Sequence, residues 1–223
     1  MATILPVREF IEGPTIVMAT RRGLVKKTDL MKFGRPRSGG LIALSLEEGD
    51  ELVAVGLAEP DQEILIGTRQ GQIIRFLAAE VRDMGRGARG VKGIDVAKDD
   101  AVVGMEVISF DGTILTVTER GFGKLTEPAK YPRHHRGGRG VKGLSITKRN
   151  GPVLTVMQLL PDDEIMLVTS RGKILRMAVS GVRVVGRVTQ GVKLMDAEAD
   201  EKVVSVARVV EKGDDGEDEP GLL

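Results

Sequence analysis

Short apolar runs rich in Val, Ile, Leu and Thr carry most of this chain's hydrophobicity, and polar turns containing glycine separate them. Runs this short, bounded by turn residues, are the pattern of β-strands rather than helices. One arrangement recurs: an apolar strand, Thr, two residues, Gly, then a second strand. It reads "IVMATRRGLVKK" (16–27), "ILIGTRQGQIIR" (64–75), "ILTVTERGFGKL" (114–125) and "IMLVTSRGKILR" (165–176). Each predicts an antiparallel hairpin, with Gly23, Gly71, Gly121 and Gly172 supplying the positive φ of a tight turn.

Those glycines are spaced by 48, 50 and 51 residues. A second landmark, Gly40, Gly90, Gly140 and Gly191, is spaced by 50, 50 and 51, and its last three members each open a Gly-Val-Lys. A third, the strands "ELVAV", "AVVGM", "PVLTV" and "KVVSV", places Val53, Val103, Leu154 and Val204 at spacings of 50, 51 and 50. The chain therefore reads as four repeats of about 50 residues, at 3–52, 53–102, 103–153 and 154–203, with a closing strand at 203–210. Each repeat predicts a blade of three or four antiparallel strands. Such a sheet has two apolar faces, and packing sheets face to face around an axis hides both, so the expected fold is all-β and propeller-like. The chain has no Trp and hence no WD40 signature, and kelch-type patterning is missing too.

Composition adds three constraints. With 223 residues the chain can bury a sizeable core. Its lack of Cys rules out disulfides, thiolate catalysis and Cys-held metals, and with no long apolar run or leader the expected setting is cytoplasmic. The net charge of +1 conceals segregation: residues 211–223 carry −5, leaving +6 on the rest. An acidic, disordered tail is expected after a basic body.

Two stretches, "GRGARG" at 85–90 and "GRGVKG" at 138–143, contain a literal G-x-G-x-x-G. A dinucleotide site would need a helix after the glycines to receive the pyrophosphate. Strand and turn sequence follows instead, and the same loop position recurs in every repeat. What recurs with it is positive charge: Lys32, Arg35 and Arg37; Arg86, Arg89 and Lys92; Arg133, Arg136, Arg139 and Lys142 with His134 and His135; then Arg183, Arg187 and Lys193. Glycine lets main chain approach a bulky polyanion and exposes its amides, and Arg forks bind phosphate oxygens in pairs. The candidate DNA-binding set is Arg35, Arg37, Arg86, Arg89, Lys92, Arg133, Arg136, Arg139, Lys142, Arg187 and Lys193, a phosphate track on one rim.

Further bases flank the hairpins, among them Lys26, Lys27, Arg75, Lys124 and Arg176, and most are expected to be solvated. Six aromatics are too few for base stacking, which favours duplex over single-stranded nucleic acid. Catalytic constellations do not emerge. His134 and His135 are neighbours whose side chains diverge, Tyr131 is expected to pack under its loop, and Asp162, Asp163 and Glu164 occupy a turn that is polar in the other repeats as well. No cofactor or metal is expected.

With these residues in view, the chain resembles the family of C-terminal domains of the DNA gyrase A protein. "VREFIEGPTIVMATRRGLVKKT", "DQEILIGTRQG", "MGRGARGVKGI", "GFGKLTEPAKYP", "ITKRNGPV", "DDEIMLVTSRGKILR" and "VVGRVTQGVKL" carry the likeness from about residue 3 to 210. The resemblance implies a β-pinwheel, whose blades exchange strands and whose basic perimeter wraps double-stranded DNA with positive handedness. It implies as partners the gyrase B subunit, together with the rest of the gyrase A subunit, in a topoisomerase holoenzyme that introduces negative supercoils at the expense of ATP. It also implies a bacterial, nucleoid-associated location with no membrane partner, and no catalysis by this chain itself. The family normally has six blades, and its basic box, Q-R-R-G-G-(K/R)-G, lies in the first. Here "HHRGGRG" at 134–140 is the nearest match, in the third repeat and without the Gln. The acidic tail resembles tails that moderate wrapping. Two rival readings are the corresponding C-terminal domain of topoisomerase IV, which bends DNA without chiral wrapping, and a protein-interaction propeller with incidental basic loops.

Overall fold

The structure is a computed structural model that describes residues 3–36, 38–198 and 200–209; Arg37 and the acidic segment 211–223 lie outside the described residues. In chain order the strands are β1 (Thr15–Thr20), β2 (Leu24–Asp29), β3 (Leu52–Ala58), β4 (Glu63–Thr68), β5 (Gln72–Leu77), β6 (Val91–Lys92), β7 (Val102–Ile108) and β8 (Thr113–Thr118). They continue with β9 (Phe122–Thr126), β10 (Val141–Lys142), β11 (Val153–Leu159), β12 (Glu164–Thr169), β13 (Ile174–Ala178), β14 (Val192–Lys193) and β15 (Val203–Val209).

The hairpins β1–β2, β4–β5, β8–β9 and β12–β13 form as the pattern predicts, and a shared device closes all four in the same detail. In the first, the Gly23 amide donates to the Thr20 carbonyl at 3.0 Å and the Leu24 amide to the Thr20 hydroxyl at 3.3 Å. Thr68 with Gly71 and Gln72, Thr118 with Gly121 and Phe122, and Thr169 with Gly172 and Lys173 repeat both bonds. The turn glycines have φ of +87°, +78°, +75° and +81°, which is why the motif is T-x-x-G.

The strands form sheets in the orders β3-β1-β2-β6, β10-β5-β4-β7, β11-β8-β9-β14 and β13-β12-β15, all antiparallel. The sheets are offset from the sequence repeats. β3, which follows the first repeat's basic loop, completes the inner side of the first sheet. The two-residue β6 reaches back from the second repeat to add an outer edge, pairing Leu24 with Lys92 and Val25 with Val91. β10 does the same on β5, and β14 on β9. Each of the first three blades is therefore finished by the repeat that follows it.

Period-two alternation explains how the blades stack. Ile64 and Ile66 of β4 join a core with Val17, Ala19 and Val25 of the preceding sheet. Leu65, between them, faces the other way and packs with Ile114 and Val156. Leu115 and Val117 continue the series onto Ile165 and Leu167. A central sheet is thus apolar on both faces, as packed layers require. Tyr131 is fully buried in the middle cluster.

Candidate nucleic-acid interface

The basic loops of the second, third and fourth repeats each form an arch over the outer strand of the preceding blade. The first arch is pinned at its start by the Met84 amide on the Lys27 carbonyl, 2.9 Å, and at its end by β6 on β2. The second starts with the His134 amide on the Arg75 carbonyl, 2.8 Å, and the third with the Val185 amide on the Leu125 carbonyl, 2.9 Å. Neighbouring arches are also joined to one another: the amides of Asp95 and Ser145 donate to the carbonyls of Gly138 and Thr189 at 2.9 Å.

This geometry accounts for the glycines. At the foot of the arches Gly90, Gly140 and Gly191 have φ of +106°, +69° and +76°. A Cβ there would lie 2.7 Å from the Val25 carbonyl oxygen, 2.3 Å from that of Ile73 and 2.8 Å from that of Gly123. The glycines let the arch land on a strand. No helix follows, and the literal dinucleotide pattern is a by-product of the landing.

The arches, with the loop of the first repeat, carry the candidate side chains as follows. Arg35 is exposed and lines one shallow cavity with Arg86, Lys32 and Phe10. Arg86 is half-buried on the first arch; Arg89 is exposed, 3.3 Å from Glu47. Lys92 lies on β6, 2.9 Å from Asp95, and this hydrogen bond holds the Asp95 carboxyl below the usual range. On the second arch Arg133 is 3.4 Å from Glu63, and Arg139, almost fully exposed, is 3.6 Å from Asp95. Lys193 pairs with Asp196 on the third arch. Lys142, on β10, has no ion-pair partner among the described residues, because Ser145 stands where Lys92 and Lys193 have an Asp. The exposed pairs are weak and salt-screened, so these cations can exchange their carboxylates for phosphates.

Arg136 and Arg187 are placed differently. Both are half-buried and hold equivalent positions. Arg136 donates from a terminal nitrogen to the Lys92 carbonyl, 2.9 Å, and from Nε to the Glu80 carbonyl, 3.0 Å. Arg187 donates to the Lys142 carbonyl, 3.3 Å. Each ties one arch to the β-edge of the arch before it, positioning the rim and contributing charge from within it.

Most of the hairpin-flanking bases are solvated, as expected, and four are not. Lys26 and Lys124 are buried to 1% and 0% exposure, Lys27 is 9% exposed, and the Arg75 side chain, beside Glu63, is 11% exposed. Lys26 and Lys124 sit directly beneath the first and third arches. Lys26 Nζ donates to the Ala43 and Arg86 carbonyls, and Lys124 Nζ to those of Gly186, at 2.8 Å, and Arg187. Burial pulls both ammonium groups down to about 8, with Lys32 and Arg187 respectively adding repulsion. Comparing repeats exposes the signal: the equivalent residues are Ile74 and Leu175, an inward-facing strand position.

Among the described residues no group of His, Cys, Asp and Glu is placed to hold a metal ion, and no helix is long and apolar enough to cross a membrane. A strand-exchanged stack of four sheets with one basic arch per seam defines the class, a propeller-type domain with a cationic perimeter. The chain belongs to the DNA gyrase C-terminal domain family, a β-propeller family, whose pattern matches residues 14–59, 62–109, 112–159 and 163–209. The DNA gyrase A subunit of Salmonella typhimurium is 46% identical over 217 residues, covering 97% of this chain and 25% of that protein. The chain thus spans about a quarter of the length of the curated relatives it matches. Among solved structures, the C-terminal domain of DNA topoisomerase IV superposes with a TM-score of 0.85 at 29% identity, covering 92% of this chain and 64% of that one. A DNA gyrase A C-terminal domain superposes with a TM-score of 0.82 at 23% identity, covering 92% and 68%, and supports the fold.

Proposed function

We propose that this chain binds, bends and wraps duplex DNA along its arched rim, as the C-terminal part of a gyrase A protein. The observation that carries this reading is the repetition of one cationic arch, in one orientation, on the outer edge of consecutive blades. Successive arches offer phosphate contacts at regular steps, and a curved track of such contacts can offset the roughly 1–6 kcal/mol needed to bend 20–30 base pairs smoothly. Wrapped DNA would then be presented to the strand-passing machinery of a holoenzyme with gyrase B, which consumes ATP in the bacterial cytoplasm. The chain supplies no catalytic group. Arg35, Arg37, Arg86, Arg89, Lys92, Arg133, Arg139, Lys142 and Lys193 are assigned to phosphate contact. Arg136 and Arg187 are assigned chiefly to holding the arches.

Binding to a long linear duplex as a function of salt tests the reading. The slope of log K against log salt is expected at about −4 or steeper, corresponding to roughly five or more phosphates engaged together. Replacing Arg86, Arg89, Arg139 and Lys142 by Gln is expected to flatten it by about 0.9 for each phosphate no longer engaged, with little change in thermal stability. A folded variant with unchanged affinity and slope would overturn the track. The likeness to the topoisomerase IV domain favours a second reading, bending without handed wrapping. A change in linking number when the chain is bound to circular DNA during relaxation supports wrapping; bound DNA without that change supports bending alone.

A further inference from the structure

Two buried ammonium groups lie under the rim with no carboxylate partner among the described residues, and neither has a role in blade packing that an apolar residue does not fill elsewhere. Ile74 and Leu175 occupy the same strand position in the second and fourth repeats. Burying an unpaired charge is costly unless its hydrogen bonds are met, and here loop carbonyls meet them.

In a trans peptide unit the C=O and the N–H point in opposite directions. The Arg86 carbonyl turned inward to Lys26 therefore turns the Gly87 N–H outward. On the third arch the Gly186 and Arg187 carbonyls, both turned to Lys124, send the N–H groups of Arg187 and Val188 outward side by side. Consecutive outward amides over a positive charge form an anion-binding concavity. The middle arch, over Ile74, shows what such an amide takes. The Arg136 N–H, equivalent to that of Arg187, donates to the Glu80 carboxylate at 3.2 Å, and His135 Nδ1 lies 3.1 Å from the same oxygen. There an internal carboxylate fills the anion position; on the first and third arches no internal anion does so among the described residues.

We infer that Lys26 and Lys124 are positioning residues for DNA binding: they rotate the arch peptides so that the N–H groups of Gly87, Arg187 and Val188 become backbone subsites for duplex phosphates. This rests on the rim reading proposed above and adds to it a neutral, main-chain set of contacts that the exposed Arg and Lys do not supply.

The test is the purified chain carrying Lys26→Met and Lys124→Met, followed by duplex binding at several salt concentrations, thermal unfolding, and amide resonances during titration with DNA and with inorganic phosphate. Expected are a thermal midpoint unchanged or raised, since apolar residues already serve at this position, and roughly tenfold or greater loss of duplex affinity, the scale of one or two charge-assisted hydrogen bonds. The salt slope should move by less than about one unit, because neither lysine touches a phosphate itself. A structural role alone would lower the midpoint instead, and affinity only with it; that outcome overturns the inference, as does wild-type affinity in the folded double variant. Should the variant not fold, the wild-type chain decides. Resonances of Gly87, Arg187 and Val188 that shift with phosphate support the assignment, and resonances that stay still reject it. Wild-type chain that shows this phosphate response and yet fails to bind duplex would overturn the rim reading and leave the amide sites standing.

Discussion

Where an arch meets a strand, there is space for a hydrogen and for nothing larger. At Gly140 a methyl group would sit 2.3 Å from the Ile73 carbonyl oxygen, at a φ of +69° that other residues rarely adopt. Gly140→Ala is therefore expected to cost at least about 1–3 kcal/mol, read as a lower thermal midpoint. Gly85→Ala, with open space around the added carbon, should stay within about 0.5 kcal/mol of wild type. The buried lysines set a second expectation. Below pH 8 both folded and unfolded chains hold these protons, and folding bears the full cost of burying the charge. Between about 8 and the ordinary value of 10.5 the folded chain releases protons that the unfolded chain keeps, so stability rises with pH. Tyr131, whose hydroxyl is pushed up by burial, opposes this only near pH 10 and above. Urea unfolding at pH 7.5 and 9.5 should show the rise in the wild type, and its loss when Lys26 and Lys124 are Met. The chemical type of these two residues hides their place. Lysine at the edge of a motif reads as solvated, and only the register shared with Ile74 and Leu175 points it inward.

Hairpins are legible because every signal for them is local: alternation, a Thr whose hydroxyl and carbonyl both serve the turn, and a Gly in the left-handed region. The outer strands are not. β6, β10 and β14 are two residues long, too short to show a period, and each finds its partner in the preceding repeat. Val-Lys alone carries no strand signal, so the Gly-Val-Lys recurrence indicates that these segments do the same thing in each repeat without indicating what. The inner bulge is equally invisible in the sequence. Pairing slips by one residue just before Thr20, Thr68, Thr118 and Thr169, in all four sheets, where the strand turns into its hairpin. Repetition marks the candidate cations, and most lie exposed on the arches. Arg136 and Arg187 share that signal but spend their guanidinium groups on neighbouring carbonyls, a distinction that only the folded geometry makes.

At the scale of the molecule, three landmarks at one regular period make the order of sheets readable, because like units at a fixed spacing can bury two apolar faces only by stacking. The charge segregation leads to a further expectation. Residues 211–223 carry −5 against +6 for the rest, and opposite charges tethered to one another compete with any external polyanion. Removing 211–223 should strengthen duplex binding at low salt, with the gap closing as salt is raised; equal affinity at all salt concentrations would show that the segment does not reach the rim. Strand exchange also fixes a schedule for synthesis. The first sheet lacks its outer edge until Lys92 has been made, the second until Lys142 and the third until Lys193. A nascent chain leaving the ribosome therefore always trails one unfinished blade, whose open edge is covered only when the following repeat emerges and folds back upon it.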